Sequence, residues 1–264
     1  MLGSVQISGE DIGDIEVRDI CESLRGNSIR LLSLRGCAVD DANFRKLMES
    51  IKETNSLVHL NLNLGVINSR NRVLWLADGV KGNESLNTLL LHGNPIGDDG
   101  MSVLSTALEH HPNIQTLDVG DCELGDDAIT SLCSLFKYRS NKKDLLELTL
   151  TGNRNITQTG WAQFTMALAH GTHIKGLFLD YNLIGDFGAG MFAVALAAMK
   201  NLETLDLEGT GITNAGADLL CDSIESYNVT LRELNLAENE ISQDILNEIK
   251  ECLNENTSAL TFQK

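Results

Sequence analysis

Residues 114–128 read IQTLDVGDCELGDDA, and the first six letters of this stretch decide the fold. Apolar residues at the first, fourth and sixth positions of the hexamer recur in seven more places along the chain. The eight copies are IRLLSL at 29, LVHLNL at 57, LNTLLL at 86, IQTLDV at 114, LLELTL at 145, IKGLFL at 174, LETLDL at 202 and LRELNL at 231. They follow one another at steps of 28, 29, 28, 31, 29, 28 and 29 residues, and a nearly constant period of this size indicates a repeat protein.

Each copy continues in the same way beyond its hexamer. The third residue after it is Asn or Cys in most copies, and an apolar residue follows two positions later, or three in the fifth copy. A polar segment comes next, and apolar residues then recur at helical spacing, as at Leu246, Ile249 and Leu253. The hexamer therefore predicts a short strand with one buried face, and the later segment predicts an amphipathic helix. Because one such unit cannot bury its own apolar face, the units must stack.

The chain is thus predicted to be an α/β solenoid shaped as a horseshoe or arc, with about nine repeats of 28–29 residues. Parallel strands line its concave face and α-helices its convex face. The pattern LxxLxLxx(N/C)xL at this period resembles the ribonuclease-inhibitor class of leucine-rich repeats, and the resemblance covers essentially the whole chain. We expect a single leucine-rich repeat domain over residues 1–264, with a partial, capping copy at 1–28, eight full repeats at 29–256 and a C-terminal cap at 257–264.

Two copies depart from the pattern. The second has Gly65 at the Asn/Cys position and lacks the Gly-Asp pair that occurs in IGDDG at 96, LGDDA at 124 and IGDFG at 184. Its helix is therefore predicted to start late, with Trp75, Leu76 and Val80 facing inward. The fifth copy has an extra residue in NRNIT and follows the basic stretch FKYRSNKKD, residues 136–144.

The acids of IQTLDVGDCELGDDA suggest a metal site at first sight, and Cys122 suggests a nucleophile. A calcium loop needs ligands at alternating positions and a distal glutamate, and that spacing is absent. A reactive cysteine needs a positive environment, whereas Cys122 lies among carboxylates that raise its pKa. The repeat explains these residues better, because an inward Asn or Cys can satisfy loop backbone groups and acids just before a helix suit its N-cap.

No motif of an enzyme or cofactor site stands out elsewhere. The six histidines form no HExxH, and HH at 110 and HGTH at 170 come near predicted helix ends, where a charged histidine suits the helix dipole. Walker, dinucleotide and GxSxG motifs are absent. We therefore expect no enzymatic activity, no cofactor and no metal.

Charge and cysteine usage restrict the partners and the compartment. The formal net charge of −17 argues against nucleic acid and anionic membranes and permits basic proteins. No stretch approaches a membrane span, and the N-terminus lacks the features of a secretory signal. The six cysteines show no CxxC or regular disulfide spacing and are predicted to be free thiols in a reducing compartment. Together these features predict a cytoplasmic protein.

The outward strand positions are the best candidate for a functional surface. They change from Arg and His in the first copies to carboxylates from the fourth copy onward, and Leu90 and Phe178 take positions expected to be exposed. An aromatic pair beside acids is typical of a steered protein interface. The predicted partner-binding residues are Leu90, Asp118, Asp121, Glu147, Phe178, Asp180, Tyr181, Glu203, Asp206 and Glu208.

The leading hypothesis is a non-enzymatic protein–protein interaction scaffold that holds a protein or peptide with a basic segment on its concave face. The resemblance implies a family that includes enzyme inhibitors and components of cilia, so a cytoskeletal or axonemal assembly is one expected location. Two alternatives stay open: a GTPase-activating protein that works without a catalytic motif of its own, and an inhibitor of a basic enzyme. The basic stretch 136–144 could be a solvated loop or a second contact for an acidic partner.

Overall fold

The computed structural model describes residues 3–137, 142–170 and 172–261, and one strand from each repeat of this part builds a parallel sheet. The strands are β1 (Gly3–Ser8), β2 (Asp11–Ile12), β3 (Ile29–Arg35), β4 (Ala38–Val39), β5 (His59–Asn61), β6 (Thr88–Leu90), β7 (Thr116–Asp118), β8 (Glu147–Thr149), β9 (Gly176–Phe178), β10 (Thr204–Asp206) and β11 (Glu233–Asn235). Strands β2 and β4 pair with each other, and the other nine lie in one sheet in chain order. Consecutive repeats therefore stack side by side, as the period predicts.

A helix follows each strand of the main sheet within the described residues. The helices are α1 (Asp14–Arg25), α2 (Asp41–Glu53), α3 (Arg70–Gly82), α4 (Gly97–Leu108), α5 (Asp126–Leu132), α6 (Gln158–Ala169), α7 (Gly185–Leu196), α8 (Asn214–Ser226) and α9 (Gln243–Thr261), with a 3₁₀ helix at Cys133–Phe136 after α5. Each helix packs against the next one along the chain. This α/β arc of alternating strands and helices confirms the predicted fold class.

The core lies between the sheet and the helices. The fourth residues of successive hexamers, such as Leu60, Leu89 and Leu117, are paired directly in the sheet and fully buried. Helix residues at helical spacing, such as Leu104 and Leu108 in α4, close the core from the other side. One apolar cluster runs through the chain, because each repeat buries its leucines against both neighbours.

The Asn/Cys position forms a ladder of hydrogen bonds, which confirms the interpretation of the repeat. In the fifth copy, Asn153 Nδ2 donates to the carbonyl oxygens of Val119 at 3.0 Å and Leu150 at 2.9 Å. Its Oδ1 accepts from the backbone amides of Cys122 at 3.0 Å and Leu124 at 3.1 Å. One buried side chain thus satisfies backbone groups of two repeats that the strands and helices leave unpaired.

The Gly-Asp element does cap helices, but the helix that it caps belongs to the following repeat. Asp98 Oδ1 accepts from the backbone amides of Gly125 at 2.6 Å and Ala128 at 3.3 Å. Asp186 likewise accepts from the amide of Thr213 at 2.8 Å and from its hydroxyl at 2.7 Å, and these bonds lower the pKa of Asp186. The prediction of a cap within the same repeat is wrong here, because stacking places the next helix N-terminus beside each carboxylate.

A second ladder, which the sequence analysis missed, runs along the junctions between helices and following strands. Asn83 Oδ1 accepts from the amides of Ser85 at 2.9 Å and Leu86 at 2.8 Å, and its Nδ2 donates to the carbonyls of Ile51 at 2.7 Å and Thr54 at 2.9 Å. Later repeats use the same type of side chain at this junction, at Asn228 and Asn256.

His111 takes the place of asparagine in this second ladder. Its Nδ1 accepts from the backbone amides of Asn113 at 3.3 Å and Ile114 at 3.2 Å, as Asn83 Oδ1 does one repeat earlier. The side chain is only 2% exposed, and burial lowers its pKa to about 4. The expectation of a charged histidine at this helix end is therefore wrong, since Nδ1 must stay unprotonated to accept these bonds.

We expect His111→Asn to protect the fold from acid. The folded-state pKa of about 4 lies below the unfolded value of 6.5, so the stability that neutral His111 contributes is present above pH 6.5 and is lost progressively as the pH falls from 6.5 to 4. The wild type should lose roughly 2 kcal/mol at pH 5 from this group. Asparagine keeps the ladder bonds and does not titrate. The urea midpoint of the variant should therefore differ less between pH 7.5 and pH 5 than the midpoint of the wild type does.

The exposed His170 offers a control for the loss of a histidine side chain, and His170→Asn should leave the urea midpoint at pH 7.5 close to that of the wild type. If the wild type and His111→Asn lost the same stability between pH 7.5 and pH 5, the result would contradict a buried neutral His111.

The second copy, which lacks the Gly-Asp pair, contains a buried arginine. Arg72 is 5% exposed, and its Nε donates to Asp41 Oδ1 at 2.8 Å. Its other nitrogens donate to the backbone carbonyls of Val66 at 2.8 Å and of Val39, and its guanidinium lies 5.1 Å from the centre of the Phe44 ring. Arg72 thus joins the second and first full repeats by a contact that the sequence analysis did not predict.

The other predicted irregularities have mixed outcomes. Leu76 and Val80 face inward and are buried, whereas Trp75 is only half-buried, so its predicted inward position is wrong in part. The basic stretch 136–144 is described only at its ends, because residues 138–141 lie outside the described part of the chain.

The two ends of the chain differ from the predicted boundaries in detail. The opening copy is a complete strand–helix unit, β1 and α1, rather than a partial one. Helix α9 runs on to Thr261, across the boundary expected between residues 256 and 257.

Candidate functional site

The candidate surface is the face of the sheet that points away from the helices, which is the concave face of the arc. Strand residues alternate between the two faces, so the residues beside the buried leucines point outward here. Leu90, Asp118, Thr149, Phe178 and Asp206 are paired one after another across β6 to β10 and form a row. Leu90 and Phe178 are three strands apart, roughly 14 Å, so they do not form one apolar patch.

Phe178 lies flat on the sheet because a glycine precedes it on the same face. A Cβ atom added at Gly176 would come within 3.2 Å of Phe178 Cε2 and 3.5 Å of Glu147 Cγ, so the ring occupies the space that a side chain would fill. The ring is consequently half-buried rather than fully exposed as predicted, and Leu90 is half-buried too. Phe178 is therefore an apolar platform held in place by its own sheet.

Three carboxylates lie beside this platform. Asp180 follows Phe178 on the same face of the sheet, and Asp206 and Glu208 take the same places in the next repeat. The hydroxyl of Thr151 donates to Asp180 Oδ1 at 2.7 Å, and Asn235 Nδ2 donates to Asp206 Oδ2 at 3.2 Å and Glu208 Oε2 at 2.8 Å. These donors are neutral, so they orient the carboxylates and leave their charge in place.

The charge of this group is not balanced within the described part of the protein. No Lys, Arg or His nitrogen there forms an ion pair with Asp180, Asp206 or Glu208. Burial raises the pKa of Asp180, and the charges of Asp206 and Glu208 raise it further. A cation brought by a partner would relieve this repulsion.

Tyr181 closes one side of the acidic group. Its backbone has φ of 58°, and its ring lies over Gly209, where an added Cβ would be 2.8 Å from Tyr181 Cδ1. Its hydroxyl donates to Glu208 Oε1 at 2.6 Å, a bond that raises the pKa of Tyr181 and lowers that of Glu208. Tyr181 therefore adds a second oriented aromatic ring to the surface.

The acids of the fourth copy do not converge on a common ligand position. Asp118 is half-buried, accepts from the amide of Gly120 at 3.0 Å and lies 3.6 Å from His92 Nδ1, and burial raises its pKa. Asp121 is exposed, whereas Asp126 accepts from the Thr157 hydroxyl of the next repeat at 2.6 Å. Among the residues that the structure describes, no group of three or more His, Cys, Asp or Glu could hold a metal ion.

Cys122 is a structural residue of the ladder, as predicted. Its thiol is fully buried and donates to the carbonyl oxygens of Leu91 and Gly120, both at 3.2 Å. Burial raises its pKa to about 12, so the thiolate required of a nucleophile is not formed near neutral pH.

One of the predicted site residues, Glu203, has its charge balanced by basic residues of the protein. Glu203 accepts from Lys175 Nζ at 2.9 Å and lies 3.4 Å from Arg232 Nη1, and the bond from Lys175 lowers the pKa of Glu203. Glu147, by contrast, accepts from the neutral hydroxyl of Thr116 at 3.2 Å. The negative surface therefore centres on Asp180, Asp206 and Glu208 rather than on Glu203.

The first repeats give the concave face its opposite sign. Arg30 and Arg35 of β3 are exposed, and no carboxylate of the described residues forms an ion pair with either. The concave face therefore has exposed arginines at β3 and unbalanced carboxylates at β9 and β10, several strands away.

Comparisons with known proteins agree with this architecture. The family model described as Leucine Rich repeat matches residues 82–105, 110–133, 198–221 and 227–248. The chain is 48% identical over 252 residues to leucine-rich repeat-containing protein 73 of Homo sapiens, covering 96% of this chain and 80% of that protein. It is 27% identical to the ribonuclease inhibitor of Sus scrofa, over 89% of this chain and 58% of the inhibitor.

A solved structure has the same fold. The crystal structure of the Rad7 and Elc1 complex in yeast contains a chain that matches with a TM-score of 0.66 at 15% identity, covering 91% of this chain and 59% of that one. No helix in the described residues is long and apolar enough to cross a bilayer.

Proposed function

Because this chain belongs to the leucine-rich repeat proteins, we propose that it is a non-enzymatic scaffold that binds a protein or peptide with a basic segment on its concave face. The whole of residues 1–264 acts as one domain in this proposal. The protein works in the cytoplasm, and a cytoskeletal or ciliary assembly is the location to examine first.

One observation carries the proposal: unbalanced carboxylates lie beside two aromatic rings whose positions are already set. Asp180, Asp206 and Glu208 are oriented by neutral donors, and the rings of Phe178 and Tyr181 rest on glycines. Little side-chain freedom remains to be lost on binding, which favours affinity. Acids that served solubility alone would not need this fixed arrangement.

We expect the variant Phe178→Ala/Asp206→Lys to lose its partners. The first change removes the apolar platform and the second reverses a central charge, so affinity for a basic partner should fall by about tenfold or more. Proximity labelling in cells with the wild type and the variant measures the loss. Binding of any partner so identified should also weaken as salt is raised.

A matched control changes the same kinds of side chain on helix α1. Ile15→Ala/Glu22→Lys also removes an exposed apolar side chain and reverses one charge. This control should retain the partners, and both variants should melt close to the wild type. An unchanged set of partners for Phe178→Ala/Asp206→Lys would contradict binding on the concave face.

A second candidate is an inhibitor of a basic enzyme, which the similarity to ribonuclease inhibitor favours. It predicts tight binding of the enzyme at low salt and loss of inhibition in Phe178→Ala/Asp206→Lys. The GTPase-activating alternative stays a prediction that a GTP-hydrolysis assay tests. The role of the basic stretch 136–144 as a second contact also stays a prediction.

A further inference from the structure

The outer surface of two consecutive helices carries almost no charge. Helix α6 contains no Asp, Glu, Lys or Arg, and α7 contains only Asp186, which caps the next repeat. At the position of Val194 on α7, helices α2 and α3 have Glu49 and Asp78, and α6 has Met166. Val194 is 74% exposed and Met166 is 59% exposed. A protein with a net charge of −17 thus leaves an uncharged band on its helical side.

A groove of about 540 Å³ lies beside this band, between α7 and α8. Small residues on α7, Gly190 and Ala193, keep it open, and a Cβ added at Gly190 would come within 3.2 Å of Leu219 Cδ1. Val194 borders the groove on one side, and Leu219 and Tyr227 border it on the other. Leu219 is 47% exposed and Tyr227 is 64% exposed, so apolar surface faces solvent on both sides.

The far side of this groove is acidic. Asp218, Asp222 and Glu225 are all exposed and follow one another at i, i+4 and i+7 along α8, so they form one stripe. Asp222 borders the groove itself. None of the three forms an ion pair with another described residue.

We propose that this groove is a second docking site, separate from the concave face, for an amphipathic helix of a protein partner. The apolar stripe of that helix lies along Val194, Leu219 and Tyr227, and its basic residues run along the edge facing Asp218 and Asp222. Helix-in-groove recognition uses apolar residues at i, i+3, i+4 and i+7, and the acidic stripe has the matching period. A second copy of this chain fits less well, because it would bring another net charge of −17 against the acidic stripe.

The test uses two synthetic helical peptides of about 18 residues, both with the same leucine stripe. One carries lysines along one edge of the stripe, and its twin carries glutamates there. Fluorescence anisotropy with the full chain should show the lysine peptide binding at least about tenfold more tightly than its twin. Val194→Glu places a charge in the apolar wall and should weaken the lysine peptide by about tenfold or more.

Matched variants separate this site from other surfaces. Thr106→Glu adds the same charge at the corresponding exposed position of α4 and should leave the affinity within about twofold. Phe178→Ala/Asp206→Lys should also leave the affinity for the lysine peptide unchanged. The proposal of binding in the groove and the proposal of binding on the concave face are therefore tested independently. Asp218→Lys/Asp222→Lys should remove the preference for the lysine peptide.

Three outcomes would overturn the proposal. One is equal binding of the two peptides, and another is equal affinity of the wild type and Val194→Glu for the lysine peptide. The third is a dimer in light scattering that Val194→Glu dissociates, since the groove would then bind a second copy.

Discussion

Replacing Trp161 by alanine should lower the free energy of unfolding by about 3–5 kcal/mol. Trp161 is the largest fully buried side chain of the described residues and lies where α6 meets α7. Its ring centre is 5.9 Å from that of Phe164 and 6.4 Å from that of Phe192, with the first pair edge to face. Alanine would leave a cavity that these rings cannot fill without moving, and it would remove an apolar contact between two repeats. The urea midpoint, followed by circular dichroism, measures the change.

Trp161→Phe is the control for this prediction. The indole Nε1 has no hydrogen-bond acceptor among the described residues, so phenylalanine removes volume without breaking a polar contact. We expect a loss of only about 1–2 kcal/mol. Trp75→Ala should also cost less than Trp161→Ala, because Trp75 is half-buried. Equal losses for Trp161→Ala and Trp75→Ala would show that the α6–α7 contact is not where stability is concentrated.

Asn153→Ala should cost about 3 kcal/mol or more of unfolding free energy. The substitution leaves the buried amides of Cys122 and Leu124 without an acceptor and the carbonyls of Val119 and Leu150 without this donor. Each buried group left unpaired costs on the order of 1–3 kcal/mol. Because the bonds join two repeats, hydrogen exchange should rise in both the fourth and the fifth copies.

Asn155→Ala provides the control in the same loop. Asn155 is exposed, and its replacement should change the free energy of unfolding, obtained from urea denaturation, by less than about 0.5 kcal/mol. A loss confined to the fifth copy in Asn153→Ala, with normal exchange in the fourth, would contradict the role of this asparagine as a link between repeats.

These two substitutions test different consequences of the same architecture. A solenoid has few contacts between distant repeats, so its stability resides in the interfaces between neighbours. Trp161 contributes apolar area to one interface and Asn153 contributes hydrogen bonds to another. Damage at either site should therefore be strongest in the adjacent repeats and weaker towards the ends of the chain.

The sequence predicted the inward strand residues correctly because the repeat supplies eight comparisons at once. Leu117 and Val119 belong to a hexamer whose pattern recurs, so the buried face of each strand follows from alternation alone. The role of Cys122 follows in the same way, since asparagine takes its position in other copies. The concave row also follows, because residues between inward leucines must point outward.

Contacts between repeats were harder to predict. Asp98 and Asp186 look like caps of their own helices, and only the side-by-side stacking places them at the next helix. His111 reads as a charged histidine at a helix end until the structure shows its burial and its two accepted bonds. A comparison of His111 with Asn83 and Asn228 at the same distance before each hexamer could have revealed this second ladder.

The character of the two candidate surfaces also depended on the tertiary structure. Glu203 and Asp206 are equivalent in the sequence as concave acids, yet only Glu203 has Lys175 and Arg232 beside it. The groove on the helical side arises where Gly190 of one repeat meets Leu219 of the next.

The sequence by itself determined the fold, the direction in which each strand residue points and the structural role of Cys122, because these depend on local period and composition. Tertiary structure decided which charges are balanced, which helix each carboxylate caps and where apolar surface stays open. Those properties depend on distances between residues about one repeat apart in sequence, and stacking alone sets these distances.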